Sequence, residues 1–114
     1  MKHIEELTKQ EIYDTCKKHL LEQDGRAYCP ESDEYQYRTE DGSMCAVGIF
    51  IQDEEYDSIV EGKQVDALIE ILKWNLKPDI LDFLESLQYI HDLCEVDNWE
   101  YHLEELAKIK NLTP

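Results

Sequence analysis

Positive charge is scarce in this chain: 11 Lys and Arg stand against 27 Asp and Glu, a formal charge of -16 over 114 residues. Gripping DNA or RNA by its phosphates requires a basic footprint, so the balance argues against direct nucleic-acid binding, and equally against docking on an anionic membrane. Long apolar runs are missing too; none approaches the roughly 18 residues a spanning helix needs. The opening Met1-Lys2-His3-Ile4-Glu5-Glu6 has acids where a secretion signal would carry its apolar stretch, so a cytoplasmic protein is expected. Cys16, Cys29, Cys45 and Cys94 form no CxxC pair, which removes zinc-ribbon and thioredoxin-type motifs. In a reducing compartment such thiols pack as small apolar side chains. No GxGxxG or GxxxxGK loop is present to cradle a nucleotide, and there is no repeat or low-complexity tract.

What is present suffices for one core. The chain is 42% hydrophobic, more than a disordered acidic tail would carry, and its length fits a single domain, residues 1–114. Leu7-Thr8-Lys9-Gln10-Glu11-Ile12 reads as a hydrophobic staple around a capping box, with Thr8 as N-cap and Glu11 reaching back to it. Ile12, Cys16 and Leu20 then share one stripe and Gly25 is a stop signal, predicting a helix over 9–23. Region 28–51 changes character. Tyr35-Gln36-Tyr37-Arg38-Thr39 alternates, Glu40-Asp41-Gly42-Ser43 is a turn, and Met44–Ile51 is apolar on both faces. Periodicity leaves Met44–Ile51 open between buried strand and short helix; its β-branched Val47, Ile49 and Ile51 favour strand. Three further helices are expected at about 64–75, 79–95 and 98–110, with Pro78 opening the second, Asp97 or Asn98 capping the third with Glu100 completing a box, and Asn111 closing it. The fold class is therefore α+β: a small β-hairpin or sheet covered by about four helices, since one hairpin cannot stand alone.

The acids are not evenly spread. Residues 31–61 hold ten acids and a single base, Arg38. Glu31, Asp33 and Glu34 precede the expected hairpin, and Asp53, Glu54, Glu55 and Asp57 follow it. A ribbon from Tyr35 to Ile51 would bring these two clusters together. Such a surface costs stability through self-repulsion and suits a basic partner, which it would steer in a salt-sensitive way. The plainer reading is a solvated face that aids solubility. Against the plainer reading of core and core-edge packing, Tyr35, Tyr37 and Tyr56 interleave with the acids as contact anchors. A Ca²⁺ loop is not indicated, because Asp53-Glu54-Glu55 lacks the glycine and the alternating ligands of an EF-hand.

Three other constellations touch on chemistry. Cys45 with His91 and Asp92 has the composition of a thiol hydrolase, against the reading of a buried cysteine and a helix histidine with a local partner. His91-x-x-Cys94 offers two metal ligands one helical turn apart, with Cys29 or Cys45 to extend them; four groups would have to converge, so no metal and no cofactor is expected. Arg38 is most simply an ion-pair partner; with His91 it is also the anion contact of an alternative function, a protein that binds and sequesters a nucleotide signal.

His19-Leu20-Leu21-Glu22-Gln23, Tyr37-Arg38, Asp41-Gly42, Cys45-Ala46-Val47-Gly48, Tyr56, Glu61-Gly62, Leu87-Gln88-Tyr89-Ile90-His91-Asp92 and Trp99 follow one another in this chain. The pattern HLxxQ, YR, DGxxCA[IV]G, Y, EG, LQxxHD and W resembles a family of small bacteriophage and prophage proteins, over about residues 19–107. The resemblance implies a viral origin and no particular chemistry. Relatives often carry a cysteine before YR and another after CA[IV]G; here those places hold Gln36 and Ile49, which speaks against a metal bound through them. The function expected is a phage-encoded host-interaction protein, not an enzyme. It would act in the host cytoplasm, inhibiting a host defence or nucleic-acid-handling protein through Glu31, Asp33, Glu34, Tyr35, Asp53, Glu54, Glu55, Tyr56 and Asp57.

Overall fold

The computed structural model describes residues 2–114. The expected start of the first helix, α1 (Lys9–Gln23), is present: the Thr8 side chain accepts from the Glu11 amide at 3.1 Å and the Glu11 carboxylate accepts from the Thr8 amide at 2.9 Å. Two of the helix's orphan donors are thereby satisfied. Its end comes one residue before the glycine, at Asp24, which takes the left-handed conformation (φ 53°). Asp is one of the few residues that tolerates this region.

Helix α2 (Val65–Leu72) is shorter than its apolar periodicity predicts, because Lys73 turns left-handed (φ 60°). Pro78 opens α3 (Pro78–Leu93), where its missing N–H removes no bond. The box expected behind Asp97 does not form. A 3-10 turn over Val96–Asn98 leads directly into α4 (Trp99–Ile109), Asn98 makes no side-chain cap, and its amide donates to Glu95 O at 2.9 Å. Asn111 takes the expected left-handed turn (φ 60°).

The helices pack α1 on α4, α3 on α4, α2 on α3 and α1 on α3. Their apolar stripes meet in one core that includes Ile12 and Leu20 of α1, Leu68 of α2, Phe83 and Leu87 of α3, and Trp99 and Leu103 of α4. Burying a side chain of this kind is worth about 1.5–3 kcal/mol. The Cα radius of gyration, 13.3 Å, is that of a single packed body of this length.

The middle of the chain departs from expectation. The ribbon from Tyr35 to Ile51 does not form. The sheet is smaller and earlier: β1 (Tyr28–Cys29) pairs antiparallel with β2 (Glu34–Tyr35), Tyr28 opposite Tyr35, around a turn in which Asp33 has φ 56°. Beyond it a single bridge joins Arg38 to Met44 across the turn at Gly42 (φ 91°). Met44–Ile51 is no strand; it curls through a 3-10 turn at Gly48–Phe50. Its apolar side chains are nonetheless all wanted inside, since Cys45 through Ile51 are buried. What decides against a strand is backbone hydrogen bonding. The amides of Met44, Val47 and Gly48 donate to side chains, those of Gln23, Gln88 and Cys45, rather than to a neighbouring strand. Gly48 also crosses the backbone of Tyr37 so closely that a Cβ there would lie 2.0 Å from the Tyr37 carbonyl oxygen.

Candidate interaction surface

The irregular stretch 24–64 carries both acidic clusters, so its bracing determines what they present. Much of that bracing comes from His19, Gln23, Glu61 and Gln88. Gln23 both accepts from the Met44 amide and donates to the Met44 carbonyl, each at 3.0 Å, and His19 Nε2 lies 3.2 Å from the same carbonyl. The Glu61 carboxylate accepts from the amides of Tyr37 (2.8 Å) and Arg38 (3.1 Å) and from the Tyr56 hydroxyl (2.6 Å). Charge-assisted bonds of this kind are roughly twice as strong as neutral ones. Gln88 on α3 accepts from the Val47 amide and donates to Asp92.

The same network engages Cys45, His91, Asp92 and Arg38. The His91 ring is fully buried and stacked on Trp99, with centroids 5.6 Å apart. Its Nε2 accepts from the Ala27 amide at 3.0 Å, so the proton sits on Nδ1, which donates to Asp92 at 2.6 Å. Neither nitrogen is left to act as a base. Cys45 is buried, burial pushes its thiol up to about 12, and its sulfur accepts from the Gly48 amide. A nucleophilic cysteine needs the opposite shift. The hydrolase constellation is therefore corrected to a structural one, in which His91 pins the residue that leads into β1. Arg38 is engaged as well: it donates to the Ile51 carbonyl, pairs with Asp53 at 2.9 Å and lies 4.7 Å over the Tyr56 ring. Arg38 and His91 thus both have partners within the chain, and neither lines the two grooves described below. Among the described residues, no group of three or more His, Cys, Asp or Glu is placed to hold a metal.

Without the long ribbon, each acidic cluster is held by its own local contacts. Glu31, Asp33 and Glu34 surround the β1–β2 turn and are exposed; Asp33 accepts from the Tyr28 hydroxyl. Asp53 and Glu54 project into solvent, Asp53 with Arg38 at its base. Asp57 caps the 3-10 turn Ser58–Val60 through the Ile59 amide. Glu55 and Tyr56 face inward. Glu55 accepts from Trp74 Nε1 at 3.2 Å and contacts His3 Nε2 at 3.2 Å, and Tyr56 donates to Glu61.

The first cluster borders a groove of about 660 Å³ between the β1–β2 hairpin, the 62–65 segment and α3. Tyr28 and Tyr35 form one wall, Glu85, Tyr89 and Leu93 the other, and the buried Tyr37 and Val65 lie beneath. Asp33, Glu34, Glu85 and Asp92 give it four carboxylates against one ammonium, Lys63. A second groove of about 590 Å³, between α3 and α4, shares Glu85 and Tyr89. Tyr89 and Leu93 are 59% and 67% exposed, more than core-edge residues would be. Sequence reasoning passed over Glu85, Tyr89 and Asp92 as a surface. Their i, i+4, i+7 spacing was the available signal, a second stripe beside the apolar one on α3.

No family model, curated protein or solved structure matches the chain. No helix among the described residues is long and apolar enough to cross a membrane.

Proposed function

We propose that this is a phage-encoded binding protein that acts in the host cytoplasm. It engages a basic surface of a host defence or nucleic-acid-handling protein and blocks it. The observation that carries the reading is the exposure of uncompensated carboxylates beside exposed tyrosines. Glu31, Glu34 and Glu54 have no ion-pair partner among the described residues, and Tyr35, next to Glu34 in β2, is 40% exposed. Acids without an ion-pair partner attract a positive partner over a distance set by ionic strength, about 8 Å at physiological salt. Tyrosine adds contact area at low entropic cost. Of the residues expected to bind, Glu31, Asp33, Glu34, Tyr35, Asp53, Glu54 and Asp57 remain the proposed contacts, while Glu55 and Tyr56 hold that surface in place.

The test is capture from host lysate followed by binding to the purified partner across a salt series. The variant Glu31→Gln/Glu34→Gln/Asp53→Asn/Glu54→Gln should bind at least about tenfold more weakly and with a shallower salt dependence. If the partner binds nucleic acid, the wild-type protein should displace it. Affinity that neither salt nor the quadruple variant changes would overturn the proposal.

A further inference from the structure

The groove between hairpin and α3 supports a more specific statement, one that rests on the reading above. We infer that it receives an arginine side chain from the basic segment of the partner. Three features converge on a planar cation. Glu34 and Glu85 border the groove and are exposed, and their carboxylates have no hydrogen-bond or ion-pair partner among the described residues, while Asp33 and Asp92 add charge of the same sign. The walls are aromatic: Tyr28 is 41% exposed, Tyr35 40% and Tyr89 59%. The space, about 660 Å³, is an open groove with ample room for one side chain.

The chain already makes this type of pair internally. The Arg26 guanidinium lies 5.6 Å from the Tyr35 ring and that of Arg38 lies 4.7 Å from the Tyr56 ring. Arg38 combines its tyrosine with a carboxylate, Asp53, at 2.9 Å. The groove offers an incoming residue the same two elements, an aromatic face and unpaired carboxylates. Arginine is favoured over lysine because its guanidinium is planar, more weakly hydrated, and can bond a carboxylate with two parallel N–H groups. An anion would meet the uncompensated carboxylates, and an apolar side chain would strip water from them without replacing its hydrogen bonds.

Fluorescence anisotropy with labelled oligo-arginine, oligo-lysine and oligo-citrulline peptides of equal length, at low and high salt, tests the assignment. Oligo-arginine should bind most tightly and oligo-citrulline not at all. Glu34→Gln/Glu85→Gln should weaken oligo-arginine at least about tenfold, and Tyr89→Ala several-fold, with melting temperatures unchanged. Asp53→Asn/Glu54→Gln, outside the groove, should change binding by no more than about twofold. Equal binding of oligo-lysine overturns the choice of arginine. Loss confined to the Asp53/Glu54 variant, or loss that follows only the number of charges removed, overturns the groove while leaving the acidic-surface reading intact. Absence of any cationic-peptide binding at low salt overturns both.

Discussion

Replacing Glu61 by alanine should unlock the middle of the molecule. The carboxylate accepts three hydrogen bonds, from the Tyr37 amide at 2.8 Å, the Arg38 amide at 3.1 Å and the Tyr56 hydroxyl at 2.6 Å. Each bond to a charged acceptor contributes about 1.5–3 kcal/mol net, and part-buried amides left unpaired carry their own desolvation penalty. Because the three share one acceptor and water reaches part of the site, the total should be about 3–5 kcal/mol rather than the full sum. A domain of this size has about 6–17 kcal/mol of stability, so the variant should fold but weakly. At about 4 °C per kcal/mol, the expected fall in melting temperature is about 12–20 °C. Glu61→Gln should lose about half as much, since it keeps one acceptor oxygen but turns an NH₂ group toward a donor. Thermal denaturation followed by circular dichroism measures the shift, and hydrogen exchange at the Tyr37 and Arg38 amides locates it. An alanine variant melting within about 2 °C of wild type, with both amides still protected, would refute the role given to this carboxylate.

Two predictions concern groups that burial holds in their neutral form. Cys16 and Cys45 are fully buried with thiols pushed up, whereas Cys29 is partly exposed, so iodoacetamide at mildly alkaline pH should modify Cys29 first and Cys16 and Cys45 only on unfolding; early labelling of Cys45, read by peptide mass spectrometry, would contradict the packing described. Burial pushes the Tyr13 and Tyr56 phenols up to about 12, Tyr56 also through donating to Glu61, and raises Tyr37 as well. An unfolded phenol ionises near 10, so the unfolded chain releases these protons first; stability should be undiminished below about pH 10 and fall as the pH rises toward about 12. Urea midpoints across that window should decline, less steeply for Tyr56→Phe, and a flat profile would count against the burial of these hydroxyls.

How much was legible in the sequence depends on the range over which its signals act. The capping box at Thr8 and Glu11 spans three residues, and the structure reproduces it bond for bond. Pro78 and Asn111 are likewise local signals, and the helices they mark are where they were expected. The path of Met44–Ile51 was not legible, because the Met44 and Val47 amides are satisfied by Gln23 and Gln88, 21 and 41 residues away in sequence. A β-branched apolar run reads as a strand only if a strand is available to pair with it, and here side chains from two helices take that place. The same holds for the proposed contacts. Charge counting found Asp33 and Glu34, whereas Glu85 and Asp92 reach the same groove only because α3 packs alongside the hairpin.

Helix α3 has two rows with different duties. Gln88 and His91 tie down the chain beneath, while Glu85, Tyr89 and Leu93 look outward and bear no weight. Substitutions in the outer row should therefore cost the scaffold little stability, so the chemistry of that face is free to vary one residue at a time while the fold stays as it is.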